Sequence, residues 1–375
     1  MPYPQNPFTP TAGVTPRAWA GHEIVIANFI DGLEEGVGAP ERLMRLTGLR
    51  GSGKTSMLQR LGDEARTLGW TVVDVTAKSS HLAEDVLVQL ALLNPAEQAR
   101  EGAGIEVNLG LVKASYNLGK EVGSNDLRVA FDRLLSKKGE KLLITVDEVH
   151  AASMEDMSEL SIAYQHAVRK KYDIAFVFAG LPSPVNSLIN RNELTFLRRA
   201  LPFVLTPVSI GEARDAMEDT LQPTGIVANP DALDAMAKAS EGYPFMIQHV
   251  GYQTWREAKR RNPSSNNVIT LADVHRALPI ATQRFEATVL EPALVGLSEQ
   301  SVEYLIAMAC EPGDSQEARS SSVAARLGKT TQELSTVRAS LIDLDLIESP
   351  GRNLLRFTLP YMPEYLLSKY PSAAS

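Results

Sequence analysis

The octapeptide Gly48-Leu49-Arg50-Gly51-Ser52-Gly53-Lys54-Thr55 constrains this chain more than any other segment. It has the form G-x-x-x-x-G-K-T, the phosphate-binding P-loop. Its glycines let the backbone turn tightly, so that successive N–H groups point inward at phosphate oxygens. The helix that should follow adds the positive end of its dipole. At this spacing Lys54 reaches the β- and γ-phosphates, and Thr55 offers its hydroxyl to Mg²⁺. The residues expected to hold nucleotide are therefore Gly48, Arg50, Gly51, Ser52, Gly53, Lys54, Thr55 and Ser56.

The flanks suit that motif. Arg42–Thr47 alternates and reads as a short strand, and Ser56–Leu68 reads as a helix stopped at Gly69. Downstream, Lys141–Glu148 is an apolar run ending in two acids. Such a run suits a strand buried on both faces of a parallel sheet, and its carboxyl end is where open α/β sheets bind ligands. Asp147 is expected to hold Mg²⁺, as the acid of a Walker B strand does, and Glu148 to orient and help deprotonate an attacking water.

The rest of the chain alternates strand and helix as far as about residue 209. Candidate strands are 70–76, 174–179 and 203–208, with helices at 23–34, 81–93, 126–136 and 154–172. This predicts an α/β fold with a doubly wound parallel sheet. Residues 1–20 are rich in Pro and Thr and are expected to lie extended against that first domain. The glycine-punctuated stretch 94–124 reads as an insertion or small hairpin. After Ser209 the strands give way to helices at 211–221, 230–239, 244–261 and 271–289, with a polar linker at 262–267. From Leu297 the pattern is helix 299–309, helix 320–327, the turn Gly328-Lys329, helix 331–344, and a hairpin over 346–357. Helix, turn, helix and hairpin is the order of a winged helix-turn-helix. The expected division is a P-loop ATPase core over 1–209, a helical lid over 210–296 and a winged helix-turn-helix over 297–375.

Composition excludes several classes. A chain of 375 residues with 44% hydrophobic residues is long enough for two or three domains. The formal charge of −8 argues against a protein that coats nucleic acid over its whole surface. One cysteine, Cys310, permits no intramolecular disulfide and no cysteine-based metal site, and the six histidines lack ligand spacing. No segment resembles a signal peptide or a membrane span, so a cytoplasmic protein without a membrane partner is expected.

With these motifs the chain resembles the AAA+/STAND branch of P-loop ATPases. It looks most like the prokaryotic group with an origin-recognition-like or archaeal-type ATPase core, a helical lid and a terminal winged helix. The resemblance rests on Gly48–Thr55 and Leu142–Glu148. Softer matches are Gly21-His22-Glu23, Phe196-Leu197-Arg198-Arg199 and Glu241-Gly242-Tyr243-Pro244. It implies ATP or ADP as ligand, Mg²⁺ as metal, nucleotide-dependent self-association, and an arginine acting in trans, for which Arg198 or Arg199 fits. Two departures stand out. The 174–179 strand ends Ala179-Gly180-Leu181-Pro182 where the family has a polar sensor, and the lid carries Pro244-Phe245-Met246 where many members have a sensor arginine. Both imply slow turnover and a nucleotide acting as a switch.

The carboxyl-terminal unit leaves its partner open between double-stranded DNA and protein. Between Ser298 and Tyr370 there are seven basic and ten acidic residues, an unfavourable balance for phosphate contact. Lys329, Thr331, Gln332 and Arg338 nevertheless fall at the start of the expected recognition helix, and Arg352 and Arg356 on the expected wing. The sequence thus predicts a Mg²⁺-dependent ATPase that switches its own assembly and acts on DNA. Its rivals are a STAND-like signalling or defence switch that recruits a protein, and an ATP-sensing DNA-binding regulator.

Overall fold

The computed structural model describes residues 3–11, 13–77, 81–93, 126–261, 268–311 and 317–371. The 94–124 insertion and the 262–267 linker expected from sequence both lie outside the described residues. The chain forms two compact units. One comprises Glu23–Thr47 and Lys54–Val204; the other comprises the amino-terminal segment to His22, Gly48–Gly53 and the chain from Leu205 onward.

The first unit is built on five strands: β1 (Leu43–Thr47), β2 (Thr71–Thr76), β3 (Lys141–Asp147), β4 (Asp173–Gly180) and β5 (Leu201–Val204). They run parallel in the order β2-β3-β4-β1-β5. Central strands buried on both faces need mostly apolar side chains, and Leu142, Leu143, Ile144, Val146 and Ile174–Ala179 supply them. Register aligns Thr47 with Gly180 and Val146 with Phe178, which brings the carboxyl ends of β1, β3 and β4 to one edge. β3 ends there in Asp147, and Glu148 follows it.

Helices α1 (Glu23–Glu35), α2 (Lys54–Thr67), α3 (Leu82–Leu93), α4 (Leu127–Leu135), α5 (Met154–Arg169) and α6 (Pro182–Ile189) complete this unit. Asp126 caps α4 and Ser153 caps α5, each side chain accepting a backbone N–H of the first turn. The α6 helix has no counterpart in the sequence expectation; Pro182 sits in its first turn, where a missing N–H costs nothing. β5 begins earlier and ends sooner than the expected 203–208; Pro207, which has no N–H to give a ladder, lies beyond its end.

The second unit contains α7 (Ile210–Leu221), α8 (Pro230–Ser240), α9 (Pro244–Arg261), α10 (Leu271–Phe285) and the short α11 (Glu291–Leu294). Two short strands, β6 (Val227–Ala228) and β7 (Val268–Ile269), pair in parallel before α8 and α10. Ser209 and Glu212 form a capping box on α7, as Thr270 and Asp273 do on α10. The amino-terminal segment, expected against the first domain, packs on α9 instead. Phe8 is buried against Gly251, where a Cβ would meet the ring at 2.3 Å. Tyr3 stands edge-on to Trp255, and the Thr9 N–H donates to Gln248 Oε1 at 2.9 Å.

The same unit continues with α12 (Glu299–Ala309), β8 (Glu317–Arg319), α13 (Ser320–Arg326), α14 (Ser335–Asp343), β9 (Ile347–Glu348), β10 (Leu354–Phe357) and α15 (Met362–Lys369). One hydrophobic core runs from Ala213 through Phe285 to Leu366, so the expected lid and carboxyl-terminal segments pack together. The expected hairpin is present and gains a third strand, β8, giving the order β8-β10-β9. The α14 helix starts later than the expected Thr331. Thr330 N–H donates to Glu333 Oε2 at 2.7 Å, and Glu333 N–H donates back to the Thr330 hydroxyl at 3.3 Å, which closes a separate turn first. Lys329, Thr331 and Gln332 therefore precede α14, and Arg338 lies on it.

Candidate nucleotide site

In the sheet unit, α2 begins at Lys54, which is buried, and next presents Thr55. The Thr55 hydroxyl donates to Asp147 Oδ2 at 2.5 Å. The other Asp147 oxygen, Oδ1, accepts the Glu148 N–H at 2.8 Å, and the Asp147 carbonyl accepts the Ala77 N–H at 2.9 Å. Asp147 is thus 9% exposed and fixed by a hydroxyl and a backbone amide, both neutral donors. Helix start and strand end converge on one point with one hydroxyl and one carboxylate. That donor set suits a hard cation such as Mg²⁺, which is bound by few protein oxygens and completed by phosphate and water. Among the described residues no cluster of three His, Cys, Asp or Glu forms a metal cage.

Glu148 differs from its neighbour. Its backbone is left-handed (φ 51°, ψ 38°), it opens the short 3-10 turn Val149–Ala151, and its carbonyl accepts the Ala151 N–H at 2.8 Å. The side chain is about half exposed. A left-handed conformation at a non-glycine residue is costly and is held by its surroundings. Here it breaks the strand and directs the chain after Asp147 into the turn that carries His150.

The loop residues Gly48–Gly53 group with the second unit. Gly51 has φ +77°, a conformation that favours glycine, and a Cβ there would lie 3.0 Å from the Tyr243 ring and 3.2 Å from Phe245 Cβ. Glycine is required both by the turn and by the residues that back it. The Ser52 and Tyr243 hydroxyls are buried without a hydrogen-bond partner among the described residues. Unsatisfied buried hydroxyls at a phosphate-type loop are the state expected of a cradle that completes its bonding with a ligand. Arg50 is exposed, and Ser56 lies half-buried on the first turn of α2.

The two arginines before β5 lie on a 3-10 segment, Asn192–Arg199. Arg198 is engaged locally: Nε donates to the Ile189 carbonyl at 3.0 Å and Nη2 to the Asn190 carbonyl at 2.6 Å, closing the end of α6. Arg199 is exposed. In the carboxyl-terminal segment Lys329, Thr331, Gln332 and Arg352 are exposed, and Arg338 is half-buried. Arg356 is exposed but paired, with 2.7 Å to Glu348 Oε1.

Two features here escape a reading of the sequence. His150 stands beside Glu148, and Tyr243 backs Gly51. The spacing of His150, two residues after the second acid, is the available signal for the first. Nothing local signals the second, because Tyr243 and Gly51 are far apart in the chain.

Residues 39–188 match the model of the AAA domain, and residues 287–366 match that of a domain of unknown function (DUF8462). No curated protein matches the chain. Among solved structures it is similar to the Walker-type ATPase PABY2304 of Pyrococcus abyssi. The two are 15% identical with a TM-score of 0.65, over 93% of this chain and 96% of the other. It is similar to the same degree to the ORC2 protein of Aeropyrum pernix, solved in ADPNP–ADP complexes: 15% identity and a TM-score of 0.65, over 97% and 96%. Cdc6p of Pyrobaculum aerophilum is more distant, at 14% identity and a TM-score of 0.51 over 98% of both chains. The fold is that of an α/β P-loop NTPase. Within it the Thr55–Asp147 pair occupies the junction of loop helix and acid strand. Among the described residues no helix is long and apolar enough to cross a membrane.

Proposed function

We propose that the chain binds ATP with Mg²⁺ and hydrolyses it slowly to ADP and phosphate, using the change of nucleotide to switch its own assembly. The observation that carries this reading is the convergence of Thr55, Asp147 and Glu148 at the carboxyl edge of the sheet, directly after a complete P-loop sequence. The Gly48–Gly53 amides and Lys54 hold the phosphates; Thr55 and Asp147 hold the metal. When bound there, Mg²⁺ supplies neutralisation of phosphate charge. Glu148, the more exposed acid, orients water and accepts its proton. Lys54→Ala should abolish nucleotide binding, and Glu148→Gln should retain ATP while stopping phosphate release. Unchanged turnover in either variant overturns that residue's role.

On this reading 1–209 is the ATPase core, 210–296 the lid and 297–375 a winged helix-turn-helix. The assembly is a homo-oligomer with a trans-acting arginine, and the local bonding of Arg198 favours Arg199 for that role. An Arg199→Ala chain mixed with a Lys54→Ala chain should recover activity that neither has alone. Persistence of full activity in Arg199→Ala as a monomer removes the trans-acting arginine. Double-stranded DNA is the proposed partner of the carboxyl-terminal segment. The pairing of Arg356 with Glu348 supports the second reading, in which that segment recruits a protein.

A further inference from the structure

His150 is unused by the chemistry above, yet it lies against the acid that performs it. The Val149–Ala151 turn folds the chain back so that His150 Nε2 is 3.4 Å from Glu148 Oε2. The other ring nitrogen, Nδ1, is buried and has no hydrogen-bond partner among the described residues. It lies at Gly180, the last residue of β4, where a Cβ would be 3.1 Å from Nδ1 and 2.7 Å from Val185 Cγ2. The glycine that ends the strand therefore serves as a seat for the imidazole. A buried N–H with no acceptor is rarer and costlier than an under-used acceptor. The neutral ring accordingly keeps its proton on Nε2, on the side of Glu148, and leaves a lone pair on the buried Nδ1.

We propose that His150 is a positioning residue for Glu148: its Nε2–H orients the carboxylate towards the attacking water, and Gly180 fixes the ring that carries it. The inference rests on the ATPase reading. Catalytic bonds are commonly long before substrate arrives, so 3.4 Å is a contact that tightens when the site is loaded. Glu148 needs such a partner because its side chain is half exposed and free to sample rotamers that point away from the site.

Glutamine and asparagine separate the two ring nitrogens. In His150→Gln the introduced amide reaches the place of Nε2 and can donate to Glu148, whereas in His150→Asn it lies where Nδ1 lay. Steady-state ATP hydrolysis and nucleotide affinity are measured on the full chain for the parent, His150→Ala, His150→Gln, His150→Asn, Glu148→Gln and the Glu148→Gln/His150→Ala pair. His150→Ala should lower kcat about tenfold or more with nucleotide affinity unchanged, as expected for a misplaced catalytic group. His150→Gln should recover most of that activity and His150→Asn little. The double variant should be no slower than Glu148→Gln, because the histidine acts only through the acid. Parent-like kcat in His150→Ala, equal recovery by Asn and Gln, or an effect confined to KM overturns the positioning role while leaving the ATPase reading intact. A parent that binds but never hydrolyses ATP defeats both.

Discussion

Asp147 and Glu148, at the end of β3, can be set against Arg326 and Arg356, in the carboxyl-terminal segment. The acids keep their charge available. Asp147 accepts from a threonine hydroxyl and a backbone N–H, and Glu148 has a histidine beside it. The bases do not. Arg356 pairs with Glu348 at 2.7 Å and Arg326 with Glu311 at 3.4 Å, while Lys369 is shared between the Tyr365 hydroxyl and Glu291. A count of charges would rank both regions as charged surfaces. What distinguishes them is whether the charge is already neutralised within the chain, and that decides what each region has left for a ligand. The sheet edge retains negative charge for a cation; the carboxyl-terminal segment has cancelled much of its positive charge.

The strongest way to break this comparison is at Asp147. Asp147→Asn keeps the shape and the Glu148 N–H contact but removes the available charge. Hydrolysis should fall at least about a hundredfold, equivalent to roughly 3 kcal/mol of barrier, while the unfolding midpoint moves little. Phosphate release and thermal unfolding, measured on the same preparation, check both halves. Retained turnover with a large drop in stability would mean that Asp147 is a structural acid.

How much of this is legible in the sequence follows from distance along the chain. The P-loop and the acid strand are readable because each compresses its chemistry into eight contiguous residues, and the alternation of strands and helices implies the parallel sheet. Hydrogen bonding settles details that periodicity does not carry: the Thr330–Glu333 turn delays α14, and Arg198 closes α6. Contacts between remote segments are invisible. Phe8 gives no sign that it will fill the space above Gly251, nor Gly51 that Tyr243 will back it. His150 falls between these cases, near the acid in sequence but given meaning by Gly180 on another strand.

His249 sharpens the comparison by a second route to cancelled charge. It is buried on α9 with its ring 4.2 Å from that of Phe245, and burial, helped by the nearby Arg284, pushes its pKa down to about 4. An unfolded histidine titrates near 6.5, so the unfolded chain binds the proton first as pH falls. The native state keeps its full stability above about pH 6.5 and loses it between there and pH 4, by about 2 to 3 kcal/mol once solvent screening is allowed for. Urea unfolding between about pH 7.5 and 4 should show a shallower decline for His249→Gln than for the parent. Parallel curves would mean that the ring is hydrated and titrates as in solution.

The smallest expected effects lie at the carboxyl-terminal hairpin, β9 and β10, and test whether its pairing governs binding. If Ser298–Tyr370 contacts duplex DNA, removing one phosphate-contacting charge should flatten the dependence of log K on log salt by about 0.9. Arg352 is exposed, so Arg352→Ala should approach that value. Arg356 is held by Glu348, with both side chains about half exposed, and such a surface pair is worth under about 1 kcal/mol. Arg356→Ala should therefore change the slope by less than Arg352→Ala does. Glu348→Gln releases Arg356 and removes a repelling carboxylate, so it should raise DNA affinity a few-fold at low salt and less at high salt, where charges are screened. The measurement is binding of a duplex by the parent and the three variants across a salt series, with ADP and with an ATP analogue. Slopes that do not differ among the four proteins would leave the segment to the protein-recruiting reading, and a rise in affinity for Glu348→Gln alone would show that the acid, rather than a shortage of arginines, had been limiting contact with phosphate.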